Sequence, residues 1–318
     1  MSDYRDAFRI NWMPGLTGLS RQPKAGIRDW LSKGTYAVSK SSKPNQIVLE
    51  NINKQEILEC FGTDINRFSV AAHESLCNLR QYEDIPRSTA WPLVILYYST
   101  LFYSHALLRI LGVSPSYFET TELLGLRNAA NAYGVAEASK FKSGLYTFQV
   151  NMQQNQVLVT NEIKAGGSHE HMWKKLGESL TAAKNSLKGS MFPTMEQRQL
   201  EDEINVIQLA VAGAGMNASR LSAMRNSIQY RQKHGVWFPY QSSLTVQRLA
   251  DRVRVASSND VNLMQCDYGS KDELVAFYES CCLLLAVSRN TLLDLDKKSN
   301  KSFIRFGLPR IELTIPLN

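Results

Sequence analysis

The chain has 318 residues, 44% of them hydrophobic and 20% charged, and a formal net charge of +7. That is the composition of a globular protein long enough to bury a real core, as one large domain or two ordinary ones. The basic balance favours a polyanionic partner, without separating RNA from DNA, anionic lipid or an acidic protein.

The start, MSDYRDAFRINWMPG, has no basic segment followed by an apolar run, so it does not read as a secretory signal. Residues 1–52 carry Pro14, Gly15, Gly18, Pro23, Gly26 and Gly34 and then SKSSKPNQ, which predicts an irregular N-terminal arm with one short helix around Ile27 to Leu31. One helical domain is expected over 53–318. Within it, Ile57, Leu58, Phe61, Ile65, Phe68, Ala72 and Leu76 keep helical spacing over 54–81. The stretch WPLVILYYSTLFYSHALL, Trp91 to Leu108, is about long enough to cross a bilayer. Its three tyrosines, Ser, Thr and His, and the absence of a second such segment, favour a buried core helix over 88–111. No membrane is expected as a partner.

A further helix is predicted over 120–132. The period then changes: Tyr146, Phe148, Val150 and Met152 alternate with polar residues, as do Val157, Val159 and Ile163 after Gln-Gln-Asn-Gln. This is the pattern of a β-hairpin, placed at 144–163 as an insertion in a helical protein. Helices are predicted again over 169–187, over 194–212 (with Thr194 and Gln197 at capping-box spacing), over 218–234 and over 271–296. Phe303-Ile-Arg-Phe and Ile311-Glu-Leu-Thr-Ile suggest short C-terminal strands. The fold class is mainly α. Cys60, Cys77, Cys266, Cys281 and Cys282 show no metal-ligand spacing and no disulfide framework, which fits a reducing cytoplasm.

Charge is focused. From Met216 to Val255 there are seven basic residues (Arg220, Arg225, Arg231, Lys233, Arg248, Arg252 and Arg254) against Asp251 alone, so +6 of the formal +7 lies in forty residues. On a helical wheel Leu221, Met224 and Ile228 form an apolar stripe, while Asn226, Tyr230 and His234 follow at i+4 spacing on the opposite side. Arg225 borders the stripe, so its stem can pack while the guanidinium reaches out. Arginine, amide and phenol side by side suit a phosphate; the plain alternative is a solvated helix face.

Arg225-Asn226-x-x-x-Tyr230 resembles the Arg-polar-x-x-x-His motif of the HEPN superfamily, small helical bundles that include metal-independent RNases of toxin and antiviral systems. Tyr98-Ser-Thr-Leu-Phe102-Tyr-Ser-His-Ala-Leu-Leu108 is similar to the pattern of an early HEPN helix. Residues 90–165, above all GVAEASKFKSGLYTFQVNMQQNQVLV, resemble the HEPN-related YaaC-like bacterial proteins. The resemblance covers about 90–235. It implies a HEPN-like bundle acting on RNA or single-stranded nucleic acid, as a homodimer or a subunit of a defence complex. Arg225, Asn226, Tyr230 and His234 would be the catalytic candidates, with Arg220, Arg231, Lys233, Arg248, Arg252 and Arg254 along the nucleic acid. The chain departs from the family where Tyr230 replaces histidine, since a phenol with a pKa near ~10 is a poor base at neutral pH. His234, one turn on, is the substitute proton carrier if the helix stays regular to Gly235. Without it the site binds phosphate and does not cut, which is the alternative of a non-catalytic subunit.

Other features weigh less. His105 in the apolar helix reads as a satisfied buried histidine. His169-Glu170-His171 diverge by about 200° on a helix, so no metal is expected there. Arg127-Asn128 repeats the dipeptide without a basic setting. Neither a phosphate-binding Gly-Lys loop nor a His-Glu-x-x-His nor a Gly-x-Ser-x-Gly motif occurs, and no cofactor is expected. Trp237-Phe238-Pro239-Tyr240 either stacks exposed bases or packs as a turn on the bundle.

Overall fold

The computed structural model describes residues 3–19, 25–43, 45–80, 88–135, 141–162, 166–213, 215, 217–257, 266–300 and 303–304. Helices dominate, joined by one small antiparallel sheet. The long helices form where expected: α3 Lys54–Arg80, α4 Ala90–Ile110, α5 Leu124–Ala132, α6 Ser168–Leu187, α7 Thr194–Ala212 and α10 Glu273–Lys298. Their ends have local causes. Asn53 Oδ1 takes the free N–H groups of Gln55 and Glu56 at 3.1 and 3.2 Å, and Asp272 does the same for Leu274 and Val275. The capping box at α7 does not form. Thr194 is already inside the helix behind Pro193, and Gln197 Nε2 instead donates to the Phe192 carbonyl at 2.8 Å.

Helix α4 is central, packed on α3, α10, α6 and α8 Arg220–Gln229. It is the one described helix long and apolar enough to cross a membrane, and 78% of its apolar window is buried inside the protein.

The first 52 residues are not an irregular arm. They form α1 Tyr4–Ile10, α2 Ile27–Lys33, and strands β1 Ala37–Val38 and β2 Gln46–Glu50. Tyr4, Ala7 and Phe8 are buried, and Arg9 Nε reaches Asp294 of α10 at 2.6 Å. The hairpin forms as β4 Gly144–Asn151 and β5 Gln156–Asn161, but it is no insertion. With β3 Val113–Phe118 it lies in a five-stranded sheet of order β1-β2-β5-β4-β3. An isolated hairpin is marginal in water, and its open edges need partners. Here β2 pairs with β5 (Ile47 opposite Val159) and β3 with β4 (Ser114 opposite Phe148). Thr147 then ties the sheet to α6 through His171 Nε2 at 2.9 Å. The expected C-terminal strands fall mostly outside the described residues, though Phe303 and Ile304 are described and buried.

Candidate functional site

Helix α8 spans Arg220–Gln229, shorter than the expected 218–234. Leu221, Met224 and Ile228 face the core as the wheel requires. The helix stops because other donors claim the carbonyls of its last turn: Lys233 N–H bonds Ser227 O at 3.1 Å, and Trp237 Nε1 bonds Ile228 O at 2.8 Å. His234 therefore leaves the row of Asn226 and Tyr230. Its backbone is left-handed (φ 70°), and its Nε2 sits 2.9 Å from Ser227 Oγ.

Arg225 also departs from expectation, because its guanidinium turns inward and the residue is only 8% exposed. Nη2 lies 2.9 Å from His169 Nδ1, and Nη1 donates to Gln229 Oε1 at 3.2 Å. The guanidinium carbon lies 5.5, 5.6 and 5.8 Å from the ring centres of Tyr97, Tyr98 and Tyr230, within cation–π range of all three. Tyr97 accepts from Trp173 Nε1 at 3.1 Å and places its own hydroxyl 3.0 Å from His169 Nδ1. With two donors aimed at Nδ1, His169 is a neutral imidazole carrying its proton on Nε2. Burial first, and the Arg225 charge second, push its pKa down to about 4. Burial likewise raises the Tyr97 hydroxyl above its ordinary value. As it stands, the centre offers a charged guanidinium and an imidazole N–H, both donors to an anion.

Among the expected site residues, Arg225 and Tyr230 are thus brought together, Asn226 is exposed on the outer face of α8, and His234 is held apart by Ser227. The partner that sequence reasoning missed is His169, which no local spacing links to Arg225. Its only trace was Tyr97-Tyr98 in an apolar helix, where a phenol needs a polar partner.

The basic cluster divides by role. Arg220 is spent on the Ala210 carbonyl and Ser280 Oγ at 2.6 and 2.7 Å, joining α7, α8 and α10. Arg252, on α9 Val246–Ala256, grips Glu279 of α10 in a fork at 2.7–2.8 Å. Arg254 pairs with Asp251 at 2.9 Å on the surface. Arg231, Lys233 and Arg248 are exposed and form no ion pair among the described residues. The aromatic run splits too: Trp237 packs edge-on against Trp91 at 5.8 Å, while Phe238 (82% exposed) and Tyr240 (48%) stand in solvent. Tyr230 is 69% exposed.

His169 and His171 serve different partners, Arg225 and Thr147. Comparison with known proteins adds nothing to this geometry, since no family model, no curated protein and no solved structure matches the chain.

Proposed function

We propose that this chain is a HEPN-like, RNA-acting protein of a prokaryotic antiviral or toxin system, working as a binder of single-stranded RNA rather than as a nuclease. One observation carries the reading. Within eleven residues, three exposed aromatic rings (Tyr230, Phe238, Tyr240) flank two exposed cations that have no ion pair among the described residues (Arg231, Lys233). Single-strand binders combine these same two elements, rings that stack bases and cations that follow the phosphates. The state of His169 supports binding over cutting, because its Nδ1 already accepts from Arg225.

The test is fluorescence anisotropy with a labelled single-stranded oligoribonucleotide. Phe238→Ala weakens binding by about 1–3 kcal/mol, the value of one stacked base, and Lys233→Gln weakens it less. No binding at low salt, or wild-type affinity in both variants, overturns the proposal.

The contact between Arg225 and His169 favours a second reading, metal-independent cleavage. A scissile phosphate that draws Arg225 onto its oxygens leaves only the Tyr97 hydroxyl at Nδ1, and that hydroxyl can rotate away. His169 is then the base that takes the proton from the 2′-hydroxyl as that oxygen attacks phosphorus and the 5′-oxygen leaves. If wild type cuts RNA and His169→Gln does not, with affinity unchanged, this reading replaces the first.

A further inference from the structure

A cavity of about 340 Å³ lies where α2, α3, α4, β3 and the start of α6 meet. Arginines reach it from three different helices: Arg28 from α2, Arg67 from α3 and Arg109 from α4. Asp64 is the one carboxylate among the residues that line it. Burial raises the Asp64 pKa while all three guanidiniums pull it down.

Arg109 is the unusual member, being 1% exposed. Its Nη1 lies 2.8 Å from His105 Nδ1, its Nη2 donates to Ser116 Oγ at 3.2 Å, and its plane lies over Phe68 at 4.5 Å. Burial lowers its pKa to about 10, which leaves it charged at neutral pH. Its Nε is fully buried without a hydrogen bond, and the nearest carboxylate oxygen, on Asp64, is 3.9 Å away. A buried guanidinium N–H without a partner costs stability unless something in the site accepts from it. Ser168, the first residue of α6, also lines the cavity, and the residue before it, Gly167, has no side chain with which to cap the helix. The N-terminus of a 20-residue helix, the positive end of its dipole, therefore stands at the cavity wall.

We propose that this cavity binds a small phosphate ester, its phosphoryl group held by Arg28, Arg67 and Arg109 and by the start of α6. A planar carboxylate is satisfied by one guanidinium fork, whereas guanidinium donors reaching in from three helices suit a tetrahedral anion with several oxygens. The remaining volume has Ile27, Pro115, Leu145 and Tyr117 as walls, which suits the organic part of a monoester better than bare phosphate. Rim and floor have separate duties. Arg28 is half exposed and pairs with Glu122 at 2.8 Å, so it can swing to a ligand; Arg109 is fixed and waits for one.

The test uses the full chain, with melting followed against phenyl phosphate, inorganic phosphate, benzoate, and sodium chloride at matched ionic strength. Phenyl phosphate raises the melting temperature most, inorganic phosphate less, and benzoate and chloride not at all. By calorimetry, Arg67→Gln and Arg28→Gln each weaken phenyl phosphate at least tenfold, while Arg231→Gln on the RNA surface leaves it unchanged. Arg109→Gln can fail to fold, and Arg28→Gln, at the solvent-facing rim, keeps the test decisive in that event. Absence of any phosphate effect, an equal effect of benzoate, or undiminished affinity in both Arg28→Gln and Arg67→Gln overturns the proposal. Because Arg231 belongs to the RNA surface and not to the cavity, either proposal can fail without the other.

Discussion

Two buried arginines in this protein solve the same problem in the same way. Arg109 and Arg225 each direct a guanidinium N–H at the Nδ1 of a histidine, at 2.8 and 2.9 Å, and each lies against aromatic faces. A neutral imidazole accepts such a bond without adding a second buried charge, and the arginine in turn holds the imidazole neutral. His105 and His169 both have pKa values pushed down by burial first and a neighbouring arginine second. The consequence for stability has a definite sign. Unfolded histidine titrates near ~6.5 and folded His169 near about 4, so the unfolded chain binds more protons between these values. Stability is fully present above the unfolded value and falls as pH drops through that window. Urea unfolding at pH 7 and pH 5 measures this, and His169→Gln shows a smaller loss between the two than wild type. A second expectation concerns Arg225. Arg225→Ala removes two hydrogen bonds of a charged group and lowers the unfolding free energy by about 2 kcal/mol or more, whether or not RNA is bound.

At the scale of elements, one close approach stands out. The C-terminus of α2 and the N-terminus of α5 meet through glycines. Gly34 is left-handed at φ 67° and lies against the Gly125 backbone, while a Cβ on Gly125 would stand 2.3 Å from the Ser32 carbonyl oxygen. Neither backbone can yield, so Gly125→Ala costs about 1–3 kcal/mol in urea unfolding, in the manner of an overpacked core. Gly177, in the middle of α6, has nothing near its would-be Cβ. Gly177→Ala therefore stabilises by up to ~1 kcal/mol through helix propensity. Had both substitutions the same effect, the packing of α2 on α5 would not be as described.

At the scale of the molecule, the charge excess proves less available than its count suggests. Of the seven basic residues between 216 and 255, Arg220, Arg225 and Arg252 hold helices together and Arg254 is paired. Three remain for a polyanion: Arg231, Lys233 and Arg248. The salt dependence of RNA binding should follow this smaller number, with a log–log slope of about −2 for three phosphates neutralised. A slope near −4 would mean that the structural arginines also reach the RNA. Arg252→Gln, by contrast, should lower stability through loss of the Glu279 fork and leave the slope unchanged.

Residue order alone settled what depends on neighbours along the chain. The spacing of Ile57, Phe61, Ile65, Phe68 and Ala72 dictates one buried helical face, and the alternation of Tyr146, Phe148, Val157 and Val159 dictates a hairpin, because side chains project with fixed periods from each backbone. Gln46-Ile-Val-Leu-Glu50 has no such alternation, being three apolar residues in a row among the glycines and prolines of the first 52 residues, and only in the sheet are Ile47 and Leu49 the buried face. Only the tertiary structure decided which charges are free and which histidine meets Arg225. Whether a guanidinium faces water depends on acceptors such as Glu279, Ser280 and His169, which lie 27 to 60 residues away in the chain. The same holds for the end of α8, where Trp237 and Lys233 take the carbonyls that would have carried the helix on to His234. Helical and strand periods are local properties of the backbone, whereas the desolvation and pairing of a charge exist only once distant segments have packed.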